Sequence, residues 1–539
     1  GRNNNSCDHN AMASKLRLLA LLYYLAIAAL GLLVSLYISS VHRAPLPREE
    51  IERLADFTTL SRQSPKLWSK DVLEISADPS SFDAEVLKAF STALSDALGG
   101  QTSVRVGKLR VEEAMASCLQ AVSTTPCLEA LEGETLSTKT SMFELVLVKA
   151  ESDTLILGTG RSAFLWWNRE RSVKDTAVTT ARLLQESWFR QVSFDGGASL
   201  FEITPGYVFS FFLLGDCASR VSWDFFNTVL APYLSRILRK LRILFDIQWN
   251  SQVVLCGSLG NSLEPSERQK SGNVVDVSLL QADFMRRTGE WPPDALTSDA
   301  RWLPPLVRFV AFKPTEPVRL VDEDGESQHS FAVQGFGAVA IAHCDTATGE
   351  TSNSSLSDCE AQGVASGWIS SVRSWLSLPA DGTLPSGGDE SMELLAARPR
   401  IDGIADWELQ ILARAAHAHF VQRTAETLQS LVELVDSLPD VVVREEIAAM
   451  TFQAVAKTRA STTAASRGDI ALALAESREA LVLALTAIHD DSVVSQLYFS
   501  WEFKYAVYLP ISMPILVPLL TSSWRQCLKM FSYAKSLVT

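Results

Sequence analysis

Positive charge is scarce in this 539-residue chain, where 48 lysines and arginines stand against 62 aspartates and glutamates for a net charge of −14. A nucleic-acid binder needs a basic face, so that class is set aside. Catalytic signatures are missing as well: no H-E-x-x-H, C-x-x-C or G-x-S-x-G occurs, which removes the sequence patterns of zincins, thiol redox modules and nucleophile-elbow hydrolases. Histidine is rare. His417 and His419 lie two apart on an expected helix, about 200° around its axis, whereas one metal needs i,i+3 or i,i+4 ligands. His343-Cys344 are strand neighbours that point to opposite faces and form no direct dyad, so a disulfide or buried thiol is the simpler reading. Asp322-Glu323-Asp324 lacks the spacing of a calcium loop and reads as a solvated turn. Gly158-Thr159-Gly160 and Gly335-Phe336-Gly337 have the outline of a dinucleotide fingerprint, but neither opens a helix, so both read as turns or bulges. No catalytic residue, cofactor or metal is expected.

Apolar sequence is plentiful, at 47% of residues, which excludes disorder of the whole chain, and part of it is concentrated at the two ends. Residues 16–40 form a block with almost no charge, long enough to cross about 30 Å of hydrocarbon. A cleaved signal peptide is the alternative, but the block is longer than an h-region and stays bulky where a cleavage site wants small residues. Met12 is the expected native start, with residues 1–11 foreign to the protein. Residues 504–523 form the second expected span, interrupted by Pro510, Pro514 and Pro518 and flanked by Trp501, Tyr505, Tyr508 and Trp524 as an aromatic belt would be. The alternative there is a buried amphipathic helix. Recurring every four residues, the prolines line one side of a helix and free carbonyls that bare lipid cannot satisfy, so that side is expected to face a partner. At the outer sides of the spans stand six basic residues, Arg2, Lys15, Arg17, Arg525, Lys529 and Lys535, and one acidic residue, Asp8, which leaves −19 for the rest of the chain. Both ends are therefore expected in the cytosol and the acidic middle in the lumen. Six of the eight cysteines lie between the spans, and Cys118 with Cys127 and Cys344 with Cys359 are near enough in sequence to close small loops, although six cysteines allow fifteen pairings. Asn353-Ser354-Ser355 is the one lumenal glycosylation sequon.

The expected fold class is an α/β lumenal domain followed by a helical segment, between two transmembrane helices. Residues 1–15 make a cytosolic tail, 16–40 a span, 41–380 the α/β domain, 381–400 a linker, 401–503 the helical segment, 504–523 a span and 524–539 a second cytosolic tail. Within the α/β part, β-rich runs alternate with helical periodicity. Strands are expected at Val72 to Ile75, Val104 to Leu109, Phe143 to Val148, Thr154 to Leu157, Tyr207 to Leu214, Ile247 to Cys256, Leu306 to Phe312, Val318 to Val321 and Ala338 to Ala342. Helices are expected at Phe82 to Leu98, Val173 to Phe189 and Trp223 to Phe245. The turn Asp322-Glu323-Asp324-Gly325 implies a hairpin. Beyond the Gly/Ser/Pro-rich stretch from Pro379 to Glu390 the chain reads as helical: Asp406 caps a helix to Leu438, Asp440 opens a second, and Gly468-Asp469 ends that one and caps a third to Ile488.

Several stretches taken together resemble the PIG-S family. They are Arg43-Ala44-Pro45-Leu46-Pro47 with Glu49-Glu50-Ile51 after the first span, then Phe209 to Leu214, Val221-Ser222-Trp223-Asp224, Pro232-Tyr233-Leu234 and Ser251-Gln252-Val253. Phe309-Val310-Ala311-Phe312-Lys313-Pro314 through Asp324-Gly325 to Gly335-Phe336-Gly337 follow, and last come Asp406-Trp407-Glu408-Leu409, Ser477-Arg478-Glu479-Ala480, Leu497-Tyr498-Phe499 and Lys504 to Pro510. Phe336 departs from the family's usual Trp-Gly-Gly. The resemblance implies a non-catalytic structural subunit of the glycosylphosphatidylinositol (GPI) transamidase, the endoplasmic reticulum complex that attaches GPI anchors to precursor proteins. It also implies partnership with the PIG-K, PIG-T, PIG-U and GAA-type subunits and with membrane lipid. The competing readings are a lumenal membrane-anchored hydrolase and a membrane-tethered cargo-binding module.

Overall fold

A computed structural model describes residues 43–63, 71–77, 82–99, 102–107, 142–150, 153–168, 171–190, 192, 194, 202–215, 222–255, 274–278, 281, 304–314, 319–321, 327–342, 356–379, 392–396, 403–437, 443–490 and 493. Isolated positions 23 and 26 and twelve more between 506 and 528 complete the set. The described chain forms two compact units.

The larger unit, residues 50–426 and 453–485, holds both main sheets. The first sheet is made by β1 (Asp71–Ala77), β2 (Thr102–Val106), β3 (Met142–Lys149), β4 (Thr154–Leu157) and β5 (Ser162–Trp167), in the order β4-β5-β3-β1-β2. Helices α2 (Ala84–Ala97) and α3 (Val173–Glu186) cover one face, burying Phe90, Leu94, Ala177 and Leu184 against Leu73, Phe143, Leu145 and Leu165. Helix α1 (Arg48–Gln63) precedes the sheet.

The second sheet is made by β6 (Gly206–Gly215), β7 (Asp246–Leu255), β9 (Leu306–Lys313), β12 (Ser330–Val333) and β13 (Gly337–Ile341), in the order β12-β13-β9-β6-β7. β6 is buried along its whole length, as befits a mostly apolar run, interrupted at Ser210, on an interior strand of a mainly parallel sheet. Its helix-covered face is crowded with rings: Phe211 stacks on Phe225 and Phe309 at 4.7 and 5.2 Å, and Tyr207 meets Trp375 edge-on at 4.9 Å. A small third sheet joins β8 (Val274–Asp276), β10 (Arg319–Val321) and β11 (Ser327–Gln328). β10 and β11 pair antiparallel, as the expected hairpin requires, and the turn residues themselves lie outside the described set.

Two departures from the periodicity have identifiable causes, one local and one from pairing with a distant strand. The helix expected from Trp223 to Phe245 is a π-helix over Phe226–Leu234 that passes into α4 (Ser235–Leu244). Pro232 cannot donate to the carbonyl four residues back and its ring crowds that carbonyl, so the turns widen. The stretch expected to be a linker, residues 381–400, contains β14 (Glu393–Ala396), which pairs parallel with β4 and extends the first sheet. A four-residue strand carries too little pattern to read among its Gly/Ser/Pro-rich neighbours.

Helix α5 (Asp358–Trp375) opens with a reciprocal capping box between Ser357 and Glu360. Three long helices follow, α6 (Asp406–Ser437), α7 (Glu445–Ser466) and α8 (Ile470–Ile488). Gly468 lies at φ +82°, and Asp469 accepts from the Leu472 amide at 3.1 Å, so the expected stop and restart are present. Phe420 of α6 and Leu474 and Leu481 of α8 are buried in the core of the second sheet.

The smaller unit comprises residues 1–49, 427–452 and 486–539. Ala44, Leu431, Val435, Val443, Ile447 and Val493 form its core, Ala44 donates to the Val443 carbonyl at 2.9 Å, and Arg444 donates to fully buried Asp490 at 2.6 and 2.8 Å. Among the described residues no helix is long and apolar enough to cross a membrane. The expected first span is described only at Tyr23 and Ala26. In the second, Pro510, Pro514 and Pro518 are helical and exposed.

Candidate functional site

Charge is concentrated where α6 begins. Asp406 opens the helix, and its neighbours tie α6 to both main sheets. The Asp406 amide donates to Thr159 O at 2.7 Å, and the Trp407 indole donates to Gly158 O at 3.0 Å. Both carbonyls belong to the β4–β5 hairpin, so the first glycine outline in the sequence is a turn that receives a helix start. On the side of the second sheet, Lys240 of α4 donates to Ile404 O at 2.7 Å and pairs with Asp406 at 2.9 Å.

Behind this contact lies an ion pair closed to solvent. Arg373 of α5 meets Glu408 of α6 in a two-pronged pair at 2.7 and 2.9 Å, with both side chains 5% exposed. The remaining guanidinium donors reach Pro379 O at 2.9 Å and Gly403 O at 2.8 Å, and Glu408 also accepts from the Ala405 amide at 2.8 Å. Burying two charges is costly unless their hydrogen bonds are filled, and here the fork is filled on both sides. Glu408 thus captures the backbone N–H just ahead of the helix. Nearly two turns further on, Arg414 forms a second two-pronged pair with Asp71 at the start of β1, one arm of it at 2.7 Å. Burial pulls Arg161 below its ordinary value, opposed by the nearby carboxylates of Asp406 and Asp71. The long helix is therefore gripped over its first three turns, by β1 and the β4–β5 turn of the first sheet and by the helices α4 and α5 that cover the second.

The histidines are packing residues. His417 is fully buried and burial pushes it down to about 4, against a backbone contact with Ser461 that favours the charged form. His419 bonds Ile203 O at 3.1 Å and lies edge-on to Phe194. The helix turns the two rings apart, as their spacing requires. The second glycine outline is likewise a turn, between β12 and β13, with Gly335 at φ +71°. Cys359 in the first turn of α5 is disulfide-bonded, and its partner lies outside the described residues, as do Cys118, Cys127, His343, Cys344 and Asn353. Sequence reasoning missed Asp71, Lys240, Arg373 and Arg414. The available signal was a charge set inside an apolar helical stripe, at Arg373 between Val372 and Trp375 and at Glu408 between Trp407 and Ile411.

Fold and site together define an α/β protein in which, among the described residues, buried ion pairs fasten a long helix to a neighbouring helix, through Arg373 and Glu408, and to a strand, through Arg414 and Asp71. Residues 22–532 match the model of the family described as phosphatidylinositol-glycan biosynthesis class S protein, PIG-S, and the chain belongs to that family. A relative from Bos taurus, described as GPI-anchor transamidase component PIGS, is 26% identical over 328 residues, 59% of this chain and 57% of the relative. Relatives of the same description from Homo sapiens and Mus musculus are 26% and 24% identical over 60% and 59% of this chain, and over 59% and 56% of their own lengths. The chain thus spans less than two thirds of the length of these relatives.

Proposed function

We propose that this chain is a non-catalytic structural subunit of the GPI transamidase in the endoplasmic reticulum membrane, supporting the attachment of GPI anchors to precursor proteins. The observation that carries this reading is the family match over residues 22–532, which takes in most of both apolar blocks and everything between them. The relatives are named as components of that enzyme.

On this reading the chain spans the membrane at residues 16–40 and 504–523, with both ends cytosolic and residues 41–503 lumenal. Its partners are the PIG-K, PIG-T, PIG-U and GAA-type subunits and lipid, without a cofactor of its own. Cys359 pairs with Cys344 across the connection from β13 to α5, Cys118 pairs with Cys127, and Asn353 carries a glycan. Pro510, Pro514 and Pro518 face another subunit.

Copurification from mild detergent tests the proposal. A stoichiometric set containing a caspase-like subunit is expected. Turnover by the isolated chain would replace the scaffold reading with a hydrolase, and recovery of precursor cargo without the other subunits would replace it with a cargo-binding module.

A further inference from the structure

The two main sheets are built from the same run of elements. In each, a strand is followed by a helix and a parallel edge strand. The third strand returns to the other side of the first, the fourth and fifth make a hairpin with the fifth parallel to the third, and a second helix follows. The first run is β1, α2, β2, β3, β4, β5, α3. The second is β6, the π-helix with α4, β7, β9, β12, β13, α5, with the strands of the small third sheet, β8 before β9 and β10 and β11 before β12, inserted between them. Spatial orders agree, β2-β1-β3-β5-β4 against β7-β6-β9-β13-β12, and so do all strand directions.

The registers agree as well. Val72 lies opposite Ser103 and Met142, and Val208 lies opposite Gln248 and Leu306. Two residues beyond Met142, Glu144 faces Ser162. Two beyond Leu306, Arg308 faces Gly337. Across the hairpins Leu157 faces Ala163 and Ala332 faces Ala338, the same separation along the chain. Leu73, Leu145 and Ala163 point to the helices of the first run, as their counterparts Phe209, Phe309 and Ala338 do in the second. Val146 and Phe164 point to the opposite face, like Val310 and Val339. Burial forbids a one-residue slip, which would turn every side chain over, but permits a slip of two. The equal separation of six residues across the two hairpins is a further likeness that packing alone does not demand.

We infer that the α/β body is one folding unit present twice in tandem, residues 71–186 and 206–375. Traces persist in the sequence. β3 and β9 both end in lysine, Lys149 and Lys313; Gly160 and Gly335 take the same place in the two hairpin turns; and Ser172-Val173-Lys174-Asp175 and Ser357-Asp358-Cys359-Glu360 open the two closing helices. The copies have diverged at the hairpin edge. The first takes up β14 beside β4, whereas in the second the outward carbonyl of Ala332 on β12 accepts from the Gln281 amide at 2.7 Å. One edge has been extended by a strand and the other closed by a side chain, two remedies for an open sheet edge.

Paired cysteines in the full-length chain test the common register. Leu157→Cys with Ala163→Cys, and Ala332→Cys with Ala338→Cys, occupy directly opposed non-hydrogen-bonded sites, about 4.5 Å apart between Cα atoms and within disulfide reach. Leu157→Cys with Leu165→Cys, and Ala332→Cys with Ala340→Cys, are diagonal at about 7–8 Å and beyond it. Peptide mass mapping without reduction should find new disulfides in both opposed pairs and in neither diagonal pair. Oxidation of a diagonal pair, or of the opposed pair in one half only, overturns the inference. If a variant fails to accumulate, an experimental structure of the intact chain decides. A single rotation must then carry all seven elements of one run onto the other, and a crossover helix on the opposite face of either sheet overturns it.

Discussion

Arg373 and Glu408 show how much a single pair contributes to this protein. Removing either partner leaves an uncompensated charge between α5 and α6, so Glu408→Leu or Arg373→Met is expected to cost about 3–5 kcal/mol. The double replacement should recover most of that loss, because it removes the desolvation cost together with the attraction. Denaturant midpoints of the two singles and the double check this, and a double variant no more stable than the worse single would show that the pair holds the helices by more than charge. His417 makes the fold sensitive to acid. Its folded value near 4 lies below the unfolded value of about 6.5, so the unfolded chain binds the extra proton first. The stability it contributes is fully present above pH 6.5 and is lost as pH falls through 4, amounting to about 3 kcal/mol across that window. His417→Gln should flatten the dependence of melting temperature on pH between 7 and 4.5. An unchanged slope would assign the acid sensitivity to other groups.

At the scale of elements, the β12–β13 hairpin depends on a residue without a side chain. Gly337 lies at φ +149°, and a Cβ there would sit 1.8 Å from the Arg308 carbonyl oxygen. Gly337→Ala must therefore move β13 away from β9, at a cost on the order of 3 kcal/mol, seen as early loss of hydrogen-exchange protection in both strands. Gly335→Ala is the milder control, since open space surrounds that position and only its φ of +71° is strained. The second apolar block gives an expectation of another kind. Replacing Tyr505 to Leu520 with a straight poly-Leu/Ala helix of equal length should preserve membrane insertion, yet weaken copurification of the other subunits and lower GPI-protein display. Full assembly of the swapped protein would reduce the prolines to tolerated residues in an anchor.

For the whole molecule the test is topological. Basic residues flank the outer sides of both apolar blocks, so protease added to sealed microsomes should remove tags at either terminus and spare residues 41–503. Protection of either tag would refute the two-span arrangement. His343→Ala should leave transamidation intact, because the pair His343-Cys344 has been assigned no chemistry. Loss of activity with normal abundance and assembly would place catalysis in this chain.

The sequence by itself determined the strands and helices that carry a strong period. Tyr207 to Leu214 and Thr154 to Leu157 read as strands, and the starts and stops around Gly468-Asp469 read as caps, because alternation, apolar runs and capping chemistry are local properties of the chain. It also determined that the glycine outlines were turns, from what followed each of them. Only the tertiary structure decided that residues 393–396 cross back to pair with β4, that a helix broadens around Pro232, and that Asp71, Arg373, Glu408 and Arg414 meet around the first turns of α6. Partners separated by 35 residues, as in Arg373 with Glu408, or by 343, as in Arg414 with Asp71, leave no period to detect. The repeated unit stayed hidden for a related reason: register and strand order are relations between distant segments, and they outlast the side chains that first specified them.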